Sequence, residues 1–245
     1  KSPDITSNKG TAEYAVNHTM SQLQTKLRAP DMVMDALLKD RFQRLWLRCT
    51  TSQDLDDAKR AWSIVEARYS EPHRHYHDKQ HLAHCLDQLD LAADIVEDPC
   101  QVEMAIWFHD LINDPGNADN EQQSADHFRN LAAGAMAPDF IDAVVQLILV
   151  TTHREKPPGK DQQFICDIDL ASFGCPWECF MRDSKAVKAE FTGTDEEYYR
   201  GKTAFLHAML QRRRIFLTDF FNDLYEQQAR ENIQRLLELI ERRED

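Results

Sequence analysis

The sequence predicts an all-α protein, a single bundle of about eight to ten helices, and three observations carry that prediction. Glycine and proline are scarce, 7 and 9 of 245 residues, too few for a fold built on tight turns. Apolar residues recur three or four positions apart along most of the chain. No run alternates with period two for long enough to make a strand. An apolar fraction of 42% on a chain of this length suits one substantial core.

Residues 1–29 are polar and weakly patterned and are expected to form a tail or lead-in, with one helical domain over 30–245. After Pro30, Met34, Leu37, Leu38, Phe42, Leu45 and Trp46 mark a first helix. Leu55, Ala58, Trp62 and Val65 line the buried face of a second, from Asp54 to Tyr69, which Ser70-Glu71-Pro72 breaks. A third covers Lys79 to Ile95 on Leu82, Leu86, Leu89 and Ala93, and a fourth runs from Gln101 to Leu111. The turn at Asn113-Asp114-Pro115-Gly116-Asn117 follows. Helical periodicity returns in 119–134, 139–152, 176–191, 195–211 and 213–240, the last marked by Phe216, Phe220, Leu224, Ile233, Leu236 and Leu237.

The formal charge of -13 argues against a duplex nucleic-acid partner, which requires a basic face. It leaves room for a small anionic substrate, because a bound cation reverses the sign of the local field. No apolar run approaches the roughly 18 residues of a membrane span, so no membrane partner is expected. The six cysteines (49, 85, 100, 166, 175 and 179) show no CxxC spacing and are read as free thiols rather than zinc ligands. No signal-like segment is read, and the expected compartment is the reducing cytoplasm.

Five of the ten histidines crowd into His73–His84, HRHYHDKQHLAH, and a sixth, His109, precedes Asp110 at the end of the apolar run Ala105-Ile106-Trp107-Phe108. A carboxylate beside such a run must be paired, solvated or metal-bound, because a lone buried charge is very costly. The adjacent imidazole supplies a second, unlike donor. If the third helix includes them, His77, His81 and His84 share one face at i, i+4 and i+7. A further carboxylate is available in Ile165-Cys166-Asp167-Ile168-Asp169-Leu170, with Asp169 favoured over Asp167. Mixed nitrogen and oxygen donors suit manganese, iron, cobalt, nickel or zinc better than calcium, with magnesium as a further candidate.

In that order, His, His-Asp and a distant Asp, the residues resemble the HD superfamily of metal-dependent phosphohydrolases. Tyr76-His77-Asp78-Lys79-Gln80-His81-Leu82 is similar to the YHNxxHA motif of cyclic nucleotide phosphodiesterases, a branch of that superfamily. His109 to Gly116 resembles their HDxxHPG, and Asp167 to Ser172 their ADLS segment. A closer likeness is to an uncharacterised group of predicted HD phosphohydrolases. It rests on Arg74-His75-Tyr76-His77, Ala105 to Asp110, Asp119 to Ala125, Thr151-Thr152-His153, Asp167 to Leu170 and Ala229 to Asn232, and extends over about Asp31 to Ile240.

The resemblance implies His81, His109, Asp110 and Asp169 as metal ligands, with His77 where the phosphodiesterase branch has its proton-donating histidine. Asp114, one place displaced, stands where HDxxHPG has its second histidine, which speaks against a phosphodiesterase-like binuclear centre. His153 falls to one of two roles, an extra ligand or a phosphate contact. The expected function is hydrolysis of a nucleotide or other small phosphorylated metabolite by a metal-bound hydroxide. Asp114, Asn113 or Glu121 would orient the water, and Arg74, Lys79 and Arg154 are the phosphate contacts closest in sequence to the ligands. Arg182 and the run Arg212-Arg213-Arg214 are further candidates for phosphate contact, but charged helix faces are usually just solvated and that reading is preferred. Tyr198, Tyr199 and Phe216 are read as core rather than as surfaces that stack on a base. The alternatives are an HD-type di-iron oxygenase and a non-catalytic ligand-binding module; a homodimer is left open.

Overall fold

The structure is a computed structural model that describes residues 31–242, and among them it contains ten α-helices and no strand. The expected lead-in over 1–29 lies outside the described residues. The chain divides into two units, with the boundary between residues 38 and 39, inside the first helix. The described residues of the first unit, 31–38, open α1 (Asp31–Cys49). The second unit continues through α2 (Leu55–Arg68), α3 (Lys79–Ala92), α4 (Pro99–Phe108), α5 (Asn120–Ala132), α6 (Pro138–Leu149), α7 (Lys160–Leu170), α8 (Trp177–Glu190), α9 (Asp195–Gln211) and α10 (Asp219–Arg242). Short 3-10 turns at Val150–Thr152 and Ala171–Gly174 follow α6 and α7.

Helix α4 is central because it is apolar but for Gln101 and Glu103, so most of its surface must be covered. Pro99 sits at its first turn, and Asp98 accepts hydrogen bonds from the N–H groups of Cys100 and Gln101. Val102, Met104, Ala105, Ile106, Trp107 and Phe108 are all buried, and α3, α5, α6 and α7 pack against it. Trp107 meets Phe42 edge-on at 5.3 Å and Trp62 at 6.1 Å, and Phe108 lies 4.9 Å from Phe128. Aromatic pairs of this kind contribute about 0.5–1.5 kcal/mol each beyond their buried area. The helix ends by delivering His109 and Asp110 at the edge of this core.

Helix α7 was not predicted. Its first turn, Lys160-Asp161-Gln162-Gln163, is polar and follows Pro157-Pro158-Gly159, so the local pattern reads as loop. Tertiary bonds decide otherwise. The Asp161 carboxylate accepts the backbone N–H groups of Glu97 and Asp98, both at 2.8 Å, which ties the start of α7 to the start of α4. At the other end, Asn232 on α10 donates to the carbonyls of Phe173 and Cys175. Gly174 permits that approach, since a Cβ there would lie 2.4 Å from Tyr225 Cβ.

Helix α10 begins at Asp219 and not at 213. The intervening backbone is held as a loop by carboxylates: Glu226 accepts the N–H groups of Ile215 and Phe216, and Asp167 those of Leu217 and Thr218. Arg212–Arg214 therefore lie in the α9–α10 connection and not on a helix face. Among the described residues, no helix is long and apolar enough to cross a membrane.

Candidate metal centre

Three separate stretches of chain bring His81, His109, Asp110 and Asp169 to one point. His81 lies in the first turn of α3, where Asp78 caps the helix by accepting the N–H groups of Gln80 and His81. Its Nε2 is 3.3 Å from His109 Nε2, 3.4 Å from Asp110 Oδ2 and 3.3 Å from Asp169 Oδ1. His109 Nε2 lies 3.0 Å from Asp110 Oδ2 and 3.6 Å from Asp169 Oδ1. Both histidine side chains are 1–2% exposed, and both carboxylates 20%. The His109 Nδ1–H donates to the carbonyl of Ile106 at 2.8 Å, which turns Nε2 into the cluster.

Cys85, one turn beyond His81 on α3, adds a donor that sequence reasoning missed. Its Sγ is 3.6 Å from His81 Nε2, and His81, Cys85, His109 and Asp169 each offer a ligand atom within 4.8 Å of the others. The i, i+4 spacing of His81 and Cys85 is the sequence feature that could have pointed to it.

The fit of a cation to this site rests on two observations. Asp110 Oδ2 is buried without a well-aligned hydrogen bond, and what it faces are the ring nitrogens of His109 and His81 at 3.0 and 3.4 Å, so donor atoms of both kinds converge on one point. The charges are also mutually dependent. Burial works against both ionised carboxylates, yet the surrounding histidines outweigh it and hold Asp110 and Asp169 well below the usual carboxylate range. Burial likewise opposes charge on His109, but Asp110 and Asp169 hold its imidazole well above the ordinary value. Two anionic oxygens facing two ring nitrogens make a pocket that could hold a divalent ion.

The Asp167–Asp169 choice resolves on the geometry of α7. Asp169 turns into the cluster, whereas Asp167 is committed to Leu217 N–H, Thr218 N–H and the Thr218 hydroxyl, at 2.7–2.8 Å. Burial pushes the Asp167 carboxyl up to about 6 despite these three bonds. Asp169 presents its second oxygen to His153, with Oδ2 2.7 Å from Nε2. His153 has φ of 53°, left-handed for a non-glycine residue, and its carbonyl accepts a hydrogen bond from Arg212 at 2.9 Å. Such a conformation costs on the order of 1–3 kcal/mol and persists where the surroundings enforce it.

His77 lies before α3 rather than on it. Its Nδ1 is 2.5 Å from Glu190 Oε2, and Glu190 Oε1 accepts the N–H groups of His75, Tyr76 and His77 at 2.7–2.9 Å. Burial raises the Glu190 pKa, but His77 and these N–H groups outweigh it and bring the carboxyl down to about 2. Nothing local in the sequence marks Glu190, 113 residues away from its partner. A folded pKa below the ordinary 4.5 means stabilisation that is complete above about pH 4.5 and lost as pH falls towards 2. Glu190→Gln is therefore expected to lose roughly 2–3 kcal/mol near neutral pH, a gap that narrows in acid; urea unfolding across pH 3.5–7 measures it.

The remaining expected residues are distributed differently. Arg74 is not at the surface: its side chain is 0% exposed, and it donates to the carbonyls of His77, Asp110 and Leu111 and to Glu71, so it braces the site and cannot reach a phosphate. Asp114 is exposed in the α4–α5 loop, where its backbone pairs with Asn120. Glu121 is half-buried in the first turn of α5, and among the described residues no bond joins its carboxylate to the cluster. Lys79 opens α3 two residues before His81. Arg154 donates to the Ala118 carbonyl and lines a cleft beside His153. His84 stays outside the cluster; burial lowers its pKa to about 4, and its Nε2 has no hydrogen-bond partner.

A second cleft, of about 370 Å³, opens beside Asp169 and His153 and is walled by Tyr76, His77, Phe173, Phe191, Tyr198 and Phe205. Lys202 joins its lining, and burial lowers that amine to about 8. Tyr198 and Phe216 are both buried in the core as expected, and Tyr198 also borders this cleft. Comparison of the chain with protein-family models, curated proteins and solved structures gives no match.

Proposed function

We propose that the protein is a metal-dependent phosphohydrolase of HD type, acting on a nucleotide or other small phosphorylated metabolite. The observation that carries this reading is the convergence of His81, His109, Asp110 and Asp169, whose buried ring nitrogens lie 3.0–3.6 Å from the carboxylate oxygens. Those four residues would hold the ion, with Cys85 beside them. When bound, a divalent ion lowers the pKa of a water and takes up phosphoryl charge.

The rest is done by the chain. Asp110 and Asp169 supply negative charge in a nearly closed setting, which favours one cation over solvent. The Ile106 carbonyl fixes the His109 tautomer, so its ring orientation does not depend on the ion. Glu190 fixes His77 by Nδ1, which leaves Nε2 to pass a proton to a departing alkoxide. The aromatic walls of the second cleft offer flat apolar surfaces to a base or similar ring.

The test is elemental analysis of protein purified without added metal, followed by a screen of phosphorylated metabolites with the metals found. One ion per chain and turnover of a phosphoester are expected. A second reading, the di-iron oxygenase, is favoured by one observation: Asp169 offers its two oxygens to opposite partners, His81 and His109 on one side and His153 on the other. A mixed-valent di-iron signal after anaerobic purification, with no phosphatase activity, would put that reading first.

A further inference from the structure

The centre borders two clefts that share His153 and Leu170. The first, of about 460 Å³, is lined by Arg154 and Lys156 from the loop after His153 and by Arg212, Arg213 and Arg214 from the α9–α10 connection. A chain with 42 acidic and only 29 basic residues thus places five cations around one concavity. The acidic lining residues are Glu155 and Asp167, and the latter spends both oxygens on Leu217 and Thr218.

Most of this positive charge is not neutralised by the protein. Arg214 pairs with Asp219. Arg212 and Arg154 are fixed through the carbonyls of His153 and Ala118, bonds that orient a guanidinium and leave its charge intact. Among the described residues, no ion pair engages Arg154, Lys156, Arg212 or Arg213. Like charges gathered in a concave wall repel one another and focus a field into the cleft, and an anion relieves both. The guanidinium fork matches phosphate oxygens in pairs. The cleft also adjoins the reacting region, because Arg212 holds the carbonyl of the residue whose ring contacts Asp169.

We propose that this cleft is a phosphate subsite that takes a second phosphoryl group of the substrate, beyond the one at the metal centre. The word substrate rests on the phosphohydrolase reading; the anion affinity of the cleft does not. Lys156 and Arg213 are both exposed, and among the described residues the one hydrogen bond that either makes is through the Arg213 carbonyl, which any residue supplies. Lys156→Glu/Arg213→Glu should therefore fold normally, which circular dichroism checks.

The probe is inorganic pyrophosphate, titrated calorimetrically into full-length, metal-stripped protein at low salt. Wild type and Asp110→Ala should bind it alike, and the charge-reversed variant at least about 10-fold more weakly. Absence of binding, or binding untouched by charge reversal, overturns the proposal. On the metal-loaded enzyme, the same variant should raise KM for substrates bearing two phosphoryl groups by about 10- to 100-fold and leave simple monophosphoesters unchanged. An equal KM increase for both overturns the assignment to a second phosphoryl group. A wild-type protein that binds pyrophosphate but hydrolyses no phosphoester counts against the hydrolase reading alone.

Discussion

Asp110→Ala is expected to strip the protein of its metal and lower turnover by at least about 100-fold, more than the loss of an outer partner of a ligand costs. Asp110 Oδ2 is the carboxylate oxygen nearest His109 Nε2, at 3.0 Å, and it also faces His81 Nε2 at 3.4 Å. Its removal leaves two buried imidazoles facing a single carboxylate, with too little negative charge to draw a divalent ion from water. The helices should survive, because the Asp110 carbonyl, which every residue supplies, is the atom that binds Arg74. Far-ultraviolet circular dichroism and elemental analysis of the same sample read both results. Full metal content in this variant would hand the site to His81, Cys85, His109 and Asp169 instead.

His77→Ala should keep the metal and slow turnover by about 100- to 10,000-fold, the range of general acid assistance. The loss should fall in kcat more than in KM, since the proton moves only as the leaving group departs. It should be largest for poor leaving groups such as alkyl alcohols and smallest for nitrophenol, which departs without help. Metal loss in His77→Ala would mean that His77 and His81 have exchanged roles. The recorded geometry argues against that exchange, because Glu190 occupies His77 Nδ1 while His81 Nε2 faces both carboxylates.

What was legible in the sequence is what short-range pattern encodes. The pair His109-Asp110 stood out because an apolar helix ends on two polar residues, and the structure places them there. The helices with clean stripes, α2, α9 and most of α10, were readable for the same reason. Helix α7 was not, since its stability comes from Asp161 reaching Glu97 and Asp98, a contact spanning more than sixty residues. Even with α7 known, spacing alone leaves Asp167 and Asp169 on opposed sides of a helix without saying which side faces the site. Thr218 settles that by engaging Asp167. Glu190 and the grouping of Arg154 with Arg212–Arg214 arise only when distant segments meet.

Arg74 carries a consequence for how an ion would enter. One guanidinium ties the carbonyls of His77, Asp110 and Leu111, and so sets the distance between the strand of chain before α3 and the end of α4 by neutral backbone bonds. The spacing of the donors is thus set by the chain's own bonds, unlike that of zinc fingers, which fold only around their metal. An ion can then be exchanged for another on a standing scaffold. Which first-row metal the site would take then follows from donor chemistry and cellular supply rather than from a shape that only one of them completes.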